Sequence, residues 1–208
     1  MNTGKMSHRA VILGLVALFL GACAGGDAAR LQQLPPDAVI LAFGDSLTYG
    51  TGAEGAAPYP QALSRLIGRE VVNAGVPGEL SAQGLARLPE LLSRHRPQLL
   101  LLCHGGNDIL RGRSREQLKA NLRGMIEAAR AGGTEVAMIA VPEFGIFLSA
   151  APEYAEVAAQ LDVPLVNDAL ADIIGAAEFR SDGVHPNAAG YLRLATAVEA
   201  LLMREGAL

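Results

Sequence analysis

The stretch VILAFGDSL, residues 39–47, sets five consecutive apolar side chains directly before a Gly-Asp-Ser turn. An apolar run without polar alternation suits a strand buried on both faces, the pattern of a parallel sheet. Working outward, comparable runs recur at 71–72, 99–103, 136–141 and 165–166. Helical patterns separate them. The clearest places Leu118, Leu122, Met125, Ile126 and Ala129 at helical spacing. Its ends are marked too: Ser114 and Gln117 form a capping-box pattern, and Gly132-Gly133 follows the last periodic residue. A closing helix puts Leu194, Val198, Leu201 and Leu202 on one stripe, with Asn187 as its predicted N-cap. Five strands alternating with helices predict a three-layer α/β/α sandwich with right-handed crossovers.

In such sheets ligands bind beyond the carboxyl ends of the strands. Polar clusters fall at those ends: Gly44-Asp45-Ser46-Leu47 after the first strand, Asn73-Ala74-Gly75 at the second, Gly105-Gly106-Asn107-Asp108 after the third. A late loop adds Ser181-Asp182-Gly183-Val184-His185-Pro186. Acyl transfer needs a nucleophile, a base, a group to orient the base, and donors for the developing oxyanion. Ser46, His185 and Asp182 can fill the first three roles. The amides of Ser46 and Gly75 with the Asn107 side chain can fill the last, Gly75 because a missing Cβ lets an amide approach closely. Asp182 and His185 stand three apart on one turn, which Pro186 would stiffen.

Taken together these four blocks resemble those of the SGNH (GDSL-type) hydrolases. The similarity is greatest to the bacterial thioesterase/lysophospholipase and arylesterase subgroup, which likewise continues Gly-Gly-Asn-Asp into a Leu-Arg-Gly segment, here Leu110-Arg111-Gly112. The resemblance implies a flavodoxin-like five-stranded parallel sheet and an acyl-enzyme on Ser46. It gives Asp182 and His185 as triad members, and Gly75 and Asn107 as oxyanion donors beside the Ser46 amide. No cofactor is implied. One departure is His104, where the subgroup's pattern has an uncharged or acidic residue. Within the enzymes the alternative is a carbohydrate esterase that deacetylates envelope polysaccharide, since fold does not fix substrate. Outside them it is a non-catalytic lipoprotein that binds acyl chains.

The Gly-x-Ser-x-Gly elbow of α/β-hydrolases is absent, because Thr48 takes the place of the second Gly. No HExxH or close His pair supports a metal site. Asp45 and Asp108 read as carboxylates that hold turns by accepting backbone amides. Cys103 ends an apolar run and reads as a core thiol, and His95 as a surface residue. Beyond the fourth strand, Phe144, Ile146 and Phe147 gather with Leu148 and Tyr154 in a stretch, 142–152, that is irregular by pattern. Such a loop either packs as core or lines a groove. The resemblance favours a groove for the acyl chain, with Phe144, Ile146 and Phe147 as its binding residues.

The N-terminus reads as an export signal: Lys5 and Arg9 precede an apolar run at 10–20, too short for the roughly 20 residues of a spanning helix. Leu20-Gly21-Ala22-Cys23 resembles a bacterial lipobox, which implies cleavage after residue 22 and lipidation of Cys23. Residues 23–37, small, polar and Pro-rich, then form a tether, and 38–208 the hydrolase domain. Loss of the signal removes two cations and no carboxylate, so the net charge of −4 becomes −6. An acidic surface without a basic stripe excludes nucleic acid as a partner. The partners expected are an acyl ester or lipid substrate and, through the anchor, a membrane. Ala24 after the Cys resembles the signal for the outer membrane, periplasmic face, of a Gram-negative envelope. The chain is expected to act as a monomer.

Overall fold

The structure is a computed structural model that describes Met1 and residues 30–53, 58–145 and 148–208. The lipobox Cys23, the signal before it and the loop residues Ile146 and Phe147 therefore lie outside the described residues. The strands are β1 (Val39–Gly44), β2 (Glu70–Gly75), β3 (Leu99–Cys103), β4 (Glu135–Ile139), β5 (Pro142–Glu143), β6 (Ser149–Ala150) and β7 (Leu165–Val166). The helices are α1 (Ser46–Tyr49), α2 (Tyr59–Ile67), α3 (Ser81–His95), α4 (Gly106–Leu110), α5 (Arg115–Ala131), α6 (Pro152–Leu161), α7 (Ala169–Gly175) and α8 (Ala188–Arg204). Among the described residues the main sheet is parallel, in the order β2-β1-β3-β4-β7. This is the expected flavodoxin-like sandwich. The order reverses direction between β1 and β3, so the ends of those two strands border the switch-point crevice.

Because successive right-handed crossovers run in opposite directions from β1, helices cover both faces. On one face α2 packs on α8, and across the other α3, α5 and α6 follow one another. Every residue of β3 is consequently buried, as are Ile40 to Gly44 of β1. Helix α5 buries all five of its predicted core residues. Its capping box forms by half: Ser114 Oγ accepts the Gln117 amide at 3.3 Å, while the Gln117 side chain turns away to Asn121 Oδ1 at 3.0 Å. In α8 the N-cap is as expected, with Asn187 Oδ1 accepting the Gly190 amide at 3.1 Å; such a cap contributes about 1 kcal/mol.

Two boundaries differ from expectation. The predicted tether, 23–37, is packed onto the domain in its described part. Leu31 and Leu34 are buried, and their amides donate to the Glu205 and Ala207 carbonyls at 3.0 and 2.9 Å. Arg30 grips Glu205 with two bonds of 2.7 Å. The folded unit thus extends back to residue 30. Two leucines among Pro and Gln carry no periodicity, and their partners lie at the far end of the chain. The segment 142–152, expected to be irregular, holds the short antiparallel pair β5 and β6, with a proline tolerated because the pair is an edge. No helix among the described residues is long and apolar enough to cross a membrane.

Candidate active site

Strand β1 delivers Ser46 to the first position of α1, capped by Asp45, whose Oδ1 accepts the Leu47 amide at 3.1 Å. From the loop before α8, 139 residues on, His185 brings Nε2 to 2.9 Å from Ser46 Oγ. Its Nδ1 lies 2.8 Å from Asp182 Oδ2. A carboxylate only accepts, so Nδ1 carries the hydrogen and Nε2 presents its lone pair to the serine hydroxyl. Asp182 also builds the turn it stands on, since its Oδ1 accepts the amides of Val184 and His185, both at 2.8 Å. Partial burial pushes the Asp182 carboxyl up, but the bonds from His185 and these amides outweigh it and hold the group below its ordinary range. A bridge between Arg180 and Pro186 closes the loop. The three residues predicted as a triad are therefore brought together in one relay.

The predicted oxyanion donors divide. The Ser46 amide, first in its helix, has no intrahelical acceptor and donates to no other group among the described residues. Asn107, in the first turn of α4, directs Nδ2 to the Glu79 carbonyl at 3.1 Å and more weakly to Asp45 Oδ2 at 3.4 Å. Gly75 does not serve as expected. Its neighbour Val76 gives its amide to Gly44 of β1, so in a parallel ladder the Gly75 amide points the other way, to the open edge of the sheet. There it donates to Asn73 Oδ1 at 2.9 Å. The face of Gly75 that lacks a Cβ meets the backbone of Tyr49, where a Cβ would lie 2.1 Å from the amide nitrogen.

The loop beyond β2 offers a replacement that the sequence reading missed. Val76 donates to Gly44, Pro77 has no N–H, and Glu79 donates back to Val76. Among the described residues this leaves the Gly78 amide as the unspent donor of the loop, at a left-handed φ of 80° that suits glycine. It directly precedes Glu79, whose carbonyl holds Asn107. The Pro77-Gly78 pair, a turn signal just after a strand, could have marked it.

Asp45 and Asp108 hold turns as expected. Asp45 Oδ2 accepts the Gly106 amide at 3.1 Å, tying the ends of β1 and β3, and burial pushes its carboxyl up. Asp108 accepts the amide and hydroxyl of Ser81 at 2.8 and 2.7 Å. Cys103 is a buried core thiol whose ionisation burial pushes well up. Half-buried Phe144 lines the shallow cleft over Ser46 with Leu47, Leu110 and Val184. Tyr154 does not join it: fully buried in α6, it donates its hydroxyl to the His104 carbonyl at 2.7 Å. Its helical spacing, not its nearness to Phe144 in sequence, decides its side. His95 is partly covered at the end of α3 and far in the chain from these groups.

A model of the GDSL-like lipase/acylhydrolase family matches residues 42–193, from β1 into α8. The chain belongs to this family. It is 35% identical over 189 residues to the esterase TesA of Pseudomonas aeruginosa, an overlap of 86% of this chain and 93% of that protein. To the thioesterase 1/protease 1/lysophospholipase L1 of Escherichia coli (strain K12) it is 33% identical over 156 residues, 71% of this chain and 75% of that one. A crystal structure of TesA matches 80% of this chain and 99% of its own, at 32% identity and a TM-score of 0.71. The matched span contains all the family blocks singled out above, including Asp182 and His185.

Proposed function

We propose that this chain is a serine esterase and thioesterase that works through an acyl-enzyme on Ser46. The observation that carries the reading is the unbroken relay from Ser46 Oγ through His185 to Asp182, with contacts of 2.9 and 2.8 Å. Ser46 Oγ attacks the acyl carbon while its proton passes to His185 Nε2, and Asp182 holds the resulting imidazolium. The tetrahedral oxyanion accepts hydrogen bonds from the Ser46 amide, Asn107 Nδ2 and the Gly78 amide. As it collapses, His185 returns the proton to the departing alkoxide or thiolate. Water then attacks the acyl-enzyme, again giving a proton to His185; collapse breaks the bond from the acyl carbon to Ser46 Oγ, His185 returns the proton to that oxygen, and a carboxylic acid leaves. Every group invoked comes from one chain, so the scheme works in a monomer, and it uses no cofactor.

The substrate proposed is a fatty acyl or aryl ester, thioesters and lysophospholipids included. Supporting this are an apolar cleft wall formed by Phe144 and half-exposed Leu110, and relatives named for esterase, thioesterase and lysophospholipase activities. Ile146 and Phe147, next in sequence to that wall, are proposed to extend it. A series of p-nitrophenyl esters from acetyl to dodecanoyl tests the reading. Phe144→Ala should spare the acetyl ester and lower kcat/KM for long chains, at about 0.8 kcal/mol for each methylene no longer shielded. Equal losses along the series would place the chain elsewhere, and activity confined to acetyl esters would favour a polysaccharide deacetylase.

We also propose that the domain is anchored through a lipid on Cys23, at the periplasmic face of an outer membrane. The order of signal, small residues and Cys supports this. Because the described packing reaches back to Arg30, seven Cα steps separate it from Cys23, a span of at most roughly 25 Å. Cys23→Ser should shift the protein out of its cleaved, membrane-bound form, as read by fractionation and precursor size. An unchanged membrane fraction would refute the anchor.

A further inference from the structure

We propose that Glu79 is a positioning residue of the oxyanion hole, clamped from its two sides by Arg87 and His104 so that its main-chain carbonyl aims the Asn107 side chain. This rests on the reading of Asn107 as an oxyanion donor. Glu79 is almost fully buried. Arg87 of α3 meets its carboxylate as a fork, with Nε 2.7 Å from Oε1 and a terminal nitrogen 2.6 Å from Oε2. The same terminal nitrogen donates to the carbonyls of Ala74, at 2.9 Å, and Gly44, at 3.3 Å, near the ends of β2 and β1. The guanidinium also lies 4.2 Å over the Phe43 ring. One arginine thus binds together both strands and the loop from which Asn107 is held.

His104 closes the other side. Its ring is fully buried, with Nε2 3.0 Å from Glu79 Oε2. Nδ1 is buried without a partner among the described residues, so the ring's one polar contact is Glu79. Room for it comes from Gly84 of α3, where a Cβ would stand 2.3 Å from Nε2. The residue that departs from the subgroup's pattern therefore serves a carboxylate two bonds' reach from the chemistry. Burial pushes the Glu79 carboxyl up, yet the bonds from His104 and Arg87 outweigh it and hold it down at about 2. The group stays charged, and the clamp closed, throughout the neutral range.

This arrangement matters because Asn107 Nδ2 has two hydrogens. One is fixed on the Glu79 carbonyl at 3.1 Å, which sets the plane of the amide; the other, held only by a long 3.4 Å contact to Asp45 Oδ2, is the one an oxyanion takes over. A slack Glu79 frees the amide to rotate, at a cost in the transition state and not in substrate binding. Glu79→Gln keeps the shape and removes the charge. It should lower kcat on p-nitrophenyl butyrate about tenfold, with KM within about twofold, and in an Asn107→Ala background the further loss should shrink below about threefold. A full tenfold loss in that background, or a loss carried by KM, would overturn the proposal. Should Asn107→Ala alone leave kcat intact, the donor assignment itself fails, and the single variant reveals it separately. If Glu79→Gln does not fold, His104→Leu, which removes one of the donors to the Glu79 carboxylate, enters the same cycle with the same expected non-additivity.

Discussion

Ser46→Ala should cut turnover of p-nitrophenyl esters by roughly a millionfold while leaving the thermal midpoint near that of the unaltered chain. Comparable hydrolases lose about that much with the nucleophile, because what remains is the oxyanion hole and binding alone. The fold should survive, since the substitution deletes one oxygen whose side-chain partner is His185 Nε2. The main-chain features that set the turn, the Asp45 cap and the Ser46 amide, are untouched. His185→Ala should be nearly as damaging, because the hydroxyl then has no base and the leaving group no acid. Turnover by Ser46→Ala near the unaltered rate would remove the covalent mechanism.

Asn107→Ala should lower kcat by about a hundred- to a thousandfold, which is about 2.7–4 kcal/mol of transition-state stabilisation and the usual worth of one oxyanion donor. KM should move little, since the hydrogen bond gains its strength only as charge develops on the acyl oxygen. A modest loss of stability is expected as well, because the Glu79 carbonyl loses the partner it has at 3.1 Å. The measurement is kcat and KM on one short ester, with a melting curve alongside. A change confined to KM would make Asn107 a substrate-binding residue instead.

Most of the fold was legible because a parallel sheet buries both faces of its inner strands. Runs such as Leu99 to Cys103 therefore need no partner to be read. The triad was legible for a related reason: Ser46 and the 182–185 turn announce themselves by residue type and by adjacency to a strand end or a helix start. What failed depends on relations that only the folded chain has. Gly75 and Gly78 stand three residues apart, and choosing between them requires knowing which amides of an edge strand face β1. That alternation is set by the pairing of Gly44 with Gly75. Leu31 and Leu34 find their places against residues 205 and 207, a contact that no local pattern encodes. Tyr154 reads as a neighbour of Phe144 in sequence, but α6 rotates it into the core beneath His104.

The central claim, that acyl transfer passes through Ser46, is tested most directly by treating the protein with a fluorophosphonate and locating the adduct by peptide mass spectrometry. A single phosphonylated residue at position 46, formed in step with loss of esterase activity and absent from Ser46→Ala, is the predicted result. Labelling at another residue, or full activity in a protein that is stoichiometrically labelled at Ser46, would contradict it.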